Sequence, residues 1–199
     1  MSNNLPINFQ LPSESVVASY SWAELTSGVG YILFYPVLMG ATYLLAEKEI
    51  SGGIGSGLSN WSNTNKTFDS SVFNLPRTIN GNVMISVPWI KDDNDNDGVS
   101  GTVYKVNAAG DATSLGNFSS NTITGTDTFG ICSATVLITN KIIKKGEKLR
   151  VYFNFPGNGE SLYCSFDPGD RTWSAWGGSA TITNIYGATR VYVPFKIDL

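Results

Sequence analysis

Histidine is absent from all 199 residues. That removes the commonest general base near neutral pH, the imidazole-activated serine and cysteine nucleophiles, and the usual ligand of zinc and iron sites. Charge is also scarce, at 15% of residues against about 25% in an average soluble domain. With a formal net charge of −3 there is no excess of cations to neutralise phosphates, so no nucleic-acid partner is expected. The one basic cluster, Lys141, Lys144, Lys145, Lys148 and Arg150, straddles Lys145-Gly146-Glu147 and reads as a solvated hairpin tip. Only two cysteines are present, Cys132 and Cys164, and they form no CxxC pair. Each falls in an apolar strand pattern, which reads as buried free thiols, with a disulfide open if their strands are neighbours. No GxSxG, Walker-type or dinucleotide-binding fingerprint occurs; the run Ser51-Gly52-Gly53-Ile54-Gly55-Ser56-Gly57 lacks the lysine and the helix those motifs need.

Helical periodicity is missing as well. What recurs is alternation of period two, which places every second side chain on one face of a strand. Val83, Ile85, Val87 and Trp89 form one such set; Cys132, Ala134, Val136 and Ile138 form another. Leu149, Val151, Phe153 and Phe155 follow, then Leu162, Cys164 and Phe166, and finally Val191, Val193, Phe195, Ile197 and Leu199. Val16, Ala18, Tyr20 and Trp22 give a weaker version. Asn80-Gly81, Asp97-Gly98, Ala109-Gly110-Asp111, Lys145-Gly146, Gly157-Asn158-Gly159 and Gly177-Gly178 separate these stripes with residues that favour positive φ or tight reversal. Pro88 and Pro194 lie inside strand patterns and belong at edges or bulges, where a missing N–H is tolerated.

Short strands with many reversals and no helices predict an all-β chain: a jelly-roll-like antiparallel β-sandwich forming a single domain over residues 1–199. Residues 51–65, rich in Gly, Ser and Asn, read as a long loop inside it. The strong alternation near the C-terminus predicts a paired final strand, set beside the first as jelly rolls often arrange it. Thr26 to Ala46 runs uncharged for long enough to span a bilayer, but it carries Gly28, Gly30, Pro36 and Gly40. It reads as two buried strands joined near Pro36–Gly40, with no membrane partner. The first residues lack a basic and an apolar region, so no export signal is expected and the sequons at Asn60, Asn65 and Asn117 read as incidental.

Two local motifs carry candidate sites. Asp93-Asn94-Asp95-Asn96-Asp97-Gly98 matches the first half of an EF-hand calcium loop, in which alternate carboxylates converge on a hard cation. Its twelfth position is Tyr104 where a bidentate glutamate belongs, so Asp93, Asp95 and Asp97 read either as calcium ligands or as a solvated acidic turn. Trp173 and Trp176, in a Gly-rich stretch, read as a cap on the core, a subunit contact or a platform for sugar rings. Carboxylate-only hydrolysis would need two acids about 5 to 9.5 Å apart, and no feature singles out such a pair.

Ile7-Asn8-Phe9-Gln10-Leu11-Pro12, Ser27-Gly28-Val29-Gly30-Tyr31, Lys144-Lys145-Gly146-Glu147-Lys148-Leu149-Arg150 and Val193-Pro194-Phe195-Lys196-Ile197-Asp198-Leu199 together resemble single jelly-roll virion proteins of tailed phages. The resemblance implies a homo-oligomeric virion subunit that decorates a capsid or joins a tail, made in the host cytoplasm and acting by assembly contacts. No catalytic residue comes with it, and the expectation is of a protein that is not an enzyme. A calcium-stabilised carbohydrate-binding module is the alternative.

Overall fold

The computed structural model describes residues 28–39, 42–47, 58–60, 64–91, 98–125, 128–155, 162–165 and 189–197. Among them every regular element is a strand: β1 (Val29–Met39), β2 (Thr42–Ala46), β3 (Leu58–Asn60), β4 (Thr64–Ser70), β5 (Arg77–Lys91), β6 (Ser100–Val106), β7 (Ala112–Ser119), β8 (Thr128–Ile143), β9 (Lys148–Phe155), β10 (Leu162–Ser165) and β11 (Arg190–Lys196). The all-β sandwich expected from the sequence is therefore the fold. No helix among the described residues is long and apolar enough to cross a membrane, and the uncharged stretch after Thr26 supplies β1 and β2.

Two layers face each other. In the first, β8 pairs with β5 over nearly its whole length, and β5 pairs on its other side with β11 and then β10, which in turn pairs with β3. In the second, the order is β2, β4, β9, β6, β7. β1 belongs to both: Val29–Phe34 pair with β11, then Tyr35–Met39 pair with β2. The first and last described strands thus lie side by side, as expected. The pairing is antiparallel except for β2 with β4, which run parallel at Leu44↔Asp69 and Leu45↔Ser70, a departure from the purely antiparallel expectation.

The period-two stripes are the inner faces of these layers. Phe34, Phe68, Val83, Ile85, Val103, Ile138, Leu149, Val151, Phe153, Phe155, Val191 and Val193 are all buried in one core drawn from both layers. Phe153 is its hub, edge-on to Phe68 and Phe118 and stacked on Phe155 at 5.9 Å. At roughly 1.5–3 kcal/mol for each large side chain removed from water, these alternating residues dominate the stability of the fold. At the far side of the second layer β7 comes up against β8, where a Cβ on Gly116 would collide with the Val136 side chain. The sandwich is nearly closed along that corner.

Several local readings change. Asn80-Gly81 is not a turn; it lies within β5, at an irregularity where Ile79 pairs with Lys141 but Gly81 with Ile138. The extra residue on β8 is taken up at Asn140, which has φ 47° and whose N–H donates to Asn80 Oδ1 at 3.3 Å. Gly81 itself has φ 134°, and a side chain there would press on Pro194, 3.3 Å away. Pro194 in turn sits in the β11–β5 bulge between Tyr192 and Phe195, and Pro88 sits between the last β11 pairing of β5 and the first β10 pairing, so both prolines occupy breaks in a ladder. Pro36 is inside β1, opposite Leu45, not in the link to β2. The stretch 51–65 is not all loop: β3 and the start of β4 fall in it, because their backbones pair with β10 and β9 whatever their side chains.

The basic hairpin keeps Lys141, Lys144 and Lys145 in water around Gly146, which has φ 85°. Arg150 does not belong to that solvated set. It is half-buried and forks onto Asp69 of β4, Nε to Oδ1 at 2.6 Å and Nη2 to Oδ2 at 2.8 Å, and this hydrogen-bonded carboxylate holds the guanidinium above its ordinary pKa. The hairpin is also pinned from outside: Phe73 N–H donates to Glu147 O at 2.9 Å, and Gly146 N–H to Phe73 O at 2.8 Å.

Cys132 is a buried free thiol of β8, opposite Val87. Cys164 pairs with Trp89 from the other side of β5, so β5 separates the two cysteine strands. Two strand spacings, about 9.6 Å, exceed what a disulfide spans. Burial pushes the Cys132 thiol from 9.0 up to about 11, outweighing a hydrogen bond with Ser120 that favours the thiolate, and the S–H donates to the Val87 carbonyl at 3.5 Å.

Two outcomes follow from this packing. Gly116→Ala is expected to cost about 1–3 kcal/mol in urea unfolding, and the Gly116→Ala/Val136→Ala double variant to lose less than the sum of the two single changes; strict additivity would show that this contact does not set the approach of β7 to β8. The raised thiol pKa has a definite sign: below pH 9 both folded and unfolded thiols are neutral, and between about 9 and 11 only the unfolded one ionises, so stability falls as pH rises through that window. Chemical denaturation at pH 7 and pH 11 should show the wild type losing about 2 kcal/mol more than Cys132→Ala over that interval. Equal losses would contradict the burial argument.

Candidate functional site

The Lys91 end of β5 is where the connection carrying the acidic motif begins, whereas the connection carrying the two tryptophans leaves from Ser165 and rejoins at Arg190, opposite Ser86. The β5–β6 connection leaves from Lys91 and the β7–β8 connection enters at Thr128, which pairs with Lys91. Leu162 of β10 pairs with Lys91 from the other side. Val99 is clamped to Ser120 at the same end: Ser120 N–H donates to Val99 O at 2.7 Å, and Val99 N–H to Ser120 Oγ at 3.0 Å. Asp93, Asp95 and Asp97 fall in the β5–β6 connection, outside the described residues, and Trp173 and Trp176 fall between β10 and β11, also outside them. The flanks of the acidic stretch are strands, as expected, and not the helices of an EF-hand. Among the described residues no group of three or more Asp, Glu or Cys could hold a metal ion.

The sequence reading missed Lys91. It continues the alternation of Val83, Ile85, Val87 and Trp89 onto the core side, and it is 0% exposed. An ammonium buried without compensation costs several kcal/mol, and Lys91 is not without interaction partners. Nearby, Thr128 Oγ1 is buried without a hydrogen-bond partner, and the Trp89 indole lies over Gly130, where a Cβ would come within 3.0 Å of the ring. The period-two rule itself could have flagged Lys91, since a charged residue in the next inward slot of an apolar stripe is either the end of the strand or a buried charge. A second buried charge, Glu147, accepts the Lys144 N–H at 2.7 Å and pairs with Lys105 at 3.8 Å, which makes it a brace for the hairpin.

The other feature is a surface. The outward residues of β8 are Phe129, Ile131, Ser133, Thr135, Leu137 and Thr139, all exposed. Phe129 is 60%, Ile131 63% and Leu137 67% exposed. On β5 the outward neighbours Asn82, Met84 and Ser86 pair with Leu137, Thr135 and Ser133. On β11, Tyr192 continues the row through Met84, and Arg190 the row through Ser86, its Nε buried with no hydrogen-bond partner. No acid occurs among these positions, and Arg190 is their only charge. An apolar strip of this kind in water marks a contact surface more often than chance exposure does.

No protein-family model matches the chain, and no curated protein matches it in sequence. Solved structures do share its architecture. Two crystal structures of a CocE/NonD family hydrolase from Staphylococcus aureus align over 84% of this chain with a TM-score of 0.59 and 11% identity. A selenomethionine-labelled α-amino acid ester hydrolase aligns over 82% with a TM-score of 0.46. This chain spans only about a third of the length of each, 37%, 36% and 35%. At that identity the likeness is one of fold. It corrects one expectation: the lack of histidine and of catalytic motifs led to the prediction that the chain is not an enzyme, yet the architecture it shares occurs within hydrolases.

Proposed function

We propose that the chain is a structural subunit of a larger protein assembly, in the first place of phage particles of the kind its sequence resembles, and that it acts by docking the outer face of β8 and β5. The observation that carries this reading is the row of exposed apolar side chains, Phe129, Ile131 and Leu137 on β8 with Met84 on β5, standing on a rigid core. Such a surface gains free energy only when another surface covers it, at roughly 25 cal/mol per Å² of apolar area. Repeated on a symmetric particle, modest contacts add through avidity.

The likeness to CocE/NonD hydrolases favours a second reading, in which the chain serves as the β-sandwich portion of a hydrolytic assembly. Quantifying the chain in gradient-purified particles separates the two. The assembly reading expects a fixed copy number, reduced tenfold or more by Phe129→Glu while the melting temperature moves by no more than a few degrees, because Phe129 is exposed in the free chain. Particles devoid of the chain, together with ester turnover that follows the chain through purification, would replace the first reading with the second.

A further inference from the structure

We infer that the outer strip of β8 is self-complementary and that its occupant is the same strip of a second copy of this chain. The inference rests on the reading of that face as an assembly surface and names the partner. Ile131 and Leu137 lie three residues to either side of Ala134, with Ser133 and Thr135 between them on the same face. A two-fold axis lying in the interface, perpendicular to β8 at Ala134, stacks β8 antiparallel on β8 of the second copy. Ile131 then faces Leu137 of the second copy, and Leu137 faces its Ile131. The small hydroxyl residues Ser133 and Thr135 meet at the centre and allow sheet-to-sheet packing near 10 Å. This is an isologous contact, in which each pairing occurs twice.

Charge agrees with the arrangement. No outward residue of β8 from Phe129 to Thr139 is charged, and neither is Asn82, Met84 or Ser86, so nothing repels its own copy. Arg190 is level with Ser133 through Ser86, and Tyr192 is level with Thr135 through Met84. The same axis therefore sets Arg190 at the height of Tyr192 of the second copy, cation toward ring and not cation toward cation. Eleven residues of β8 cover about 37 Å and the strands β8, β5 and β11 about 14 Å, so the face offers roughly 500 Å², below the about 800 Å² that each partner contributes to a standard interface and in the range of a weak dimer.

The test is a charge exchange in the full chain, read by light scattering and sedimentation equilibrium from micromolar to submillimolar concentration. The wild type is expected to dimerise. Ile131→Lys alone and Leu137→Glu alone should each weaken dimerisation by about a hundredfold, since each buries two unpaired charges. An equimolar mixture of the two variants should regain association, because the introduced ammonium of one then meets the introduced carboxylate of the other. Ile131→Ser and Leu137→Ser, which add no charge at exposed sites, are expected to weaken it by about tenfold and cover the case of a charged variant that does not fold. A wild type monomeric throughout, single variants that dimerise as tightly as the wild type, or a mixture that stays monomeric would each overturn the inference. Dimers that never enter particles would sink the assembly reading alone, and monomers that do enter them would sink this one alone.

Discussion

The molecule depends on sharing one apolar core between two sheets, and Phe153 is the aromatic hub of the second sheet's inner face. Its ring meets Phe68 from β4, Phe118 from β7 and Phe155 from its own strand, and it is fully buried. Neither sheet could bury its inner face alone; each is the other's solvent shield. The bridging of β1, which leaves β11 at Phe34 and joins β2 at Tyr35, ties the layers covalently at one corner. The approach of Gly116 to Val136 closes the opposite corner. Bulges at Asn140 and between Tyr192 and Phe195 let long strands bend around the core without breaking it.

Charge plays a small and specific part within that frame. The Arg150–Asp69 fork joins β9 to β4 across a pairing the backbone already makes, so it sharpens register more than it adds stability. Glu147 braces its own hairpin, and Phe73 locks that hairpin to the segment before β5. Lys91 is different, since it lies wholly inside at the end from which the acidic connection departs.

Function on this frame is confined to what the core does not consume. Among the described residues the inner faces are used up by packing, and the outer face of β8 is an apolar surface left to meet other molecules. The outer face is apolar and almost uncharged, which suits a partner chosen by shape. The likeness to part of a longer hydrolase shows that the same sandwich is compatible with a chain that also performs chemistry, and it leaves the chemistry to be decided by residues and not by architecture.

Much of this was legible in the order of residues. Period-two alternation depends only on the pleat, so Val83 to Val87, Cys132 to Ile138, Leu149 to Phe155 and Val191 to Ile197 could be assigned to inner faces before any contact was known, and Gly110 and Gly146 could be placed in turns. What alternation cannot carry is partnership between strands. Asn80-Gly81 has the chemistry of a reversal, yet it became a bulge because β8 and β11 flank it on both sides and continue past it. The separation of Cys132 from Cys164 by β5, the parallel pairing of β2 with β4 and the pairing of Arg150 with Asp69 are likewise long-range facts. Side-chain direction is a local property of the backbone and is written in the sequence. Which strand lies next to which, and which outward stripe stays open to water, is settled only when the whole chain competes for the same core.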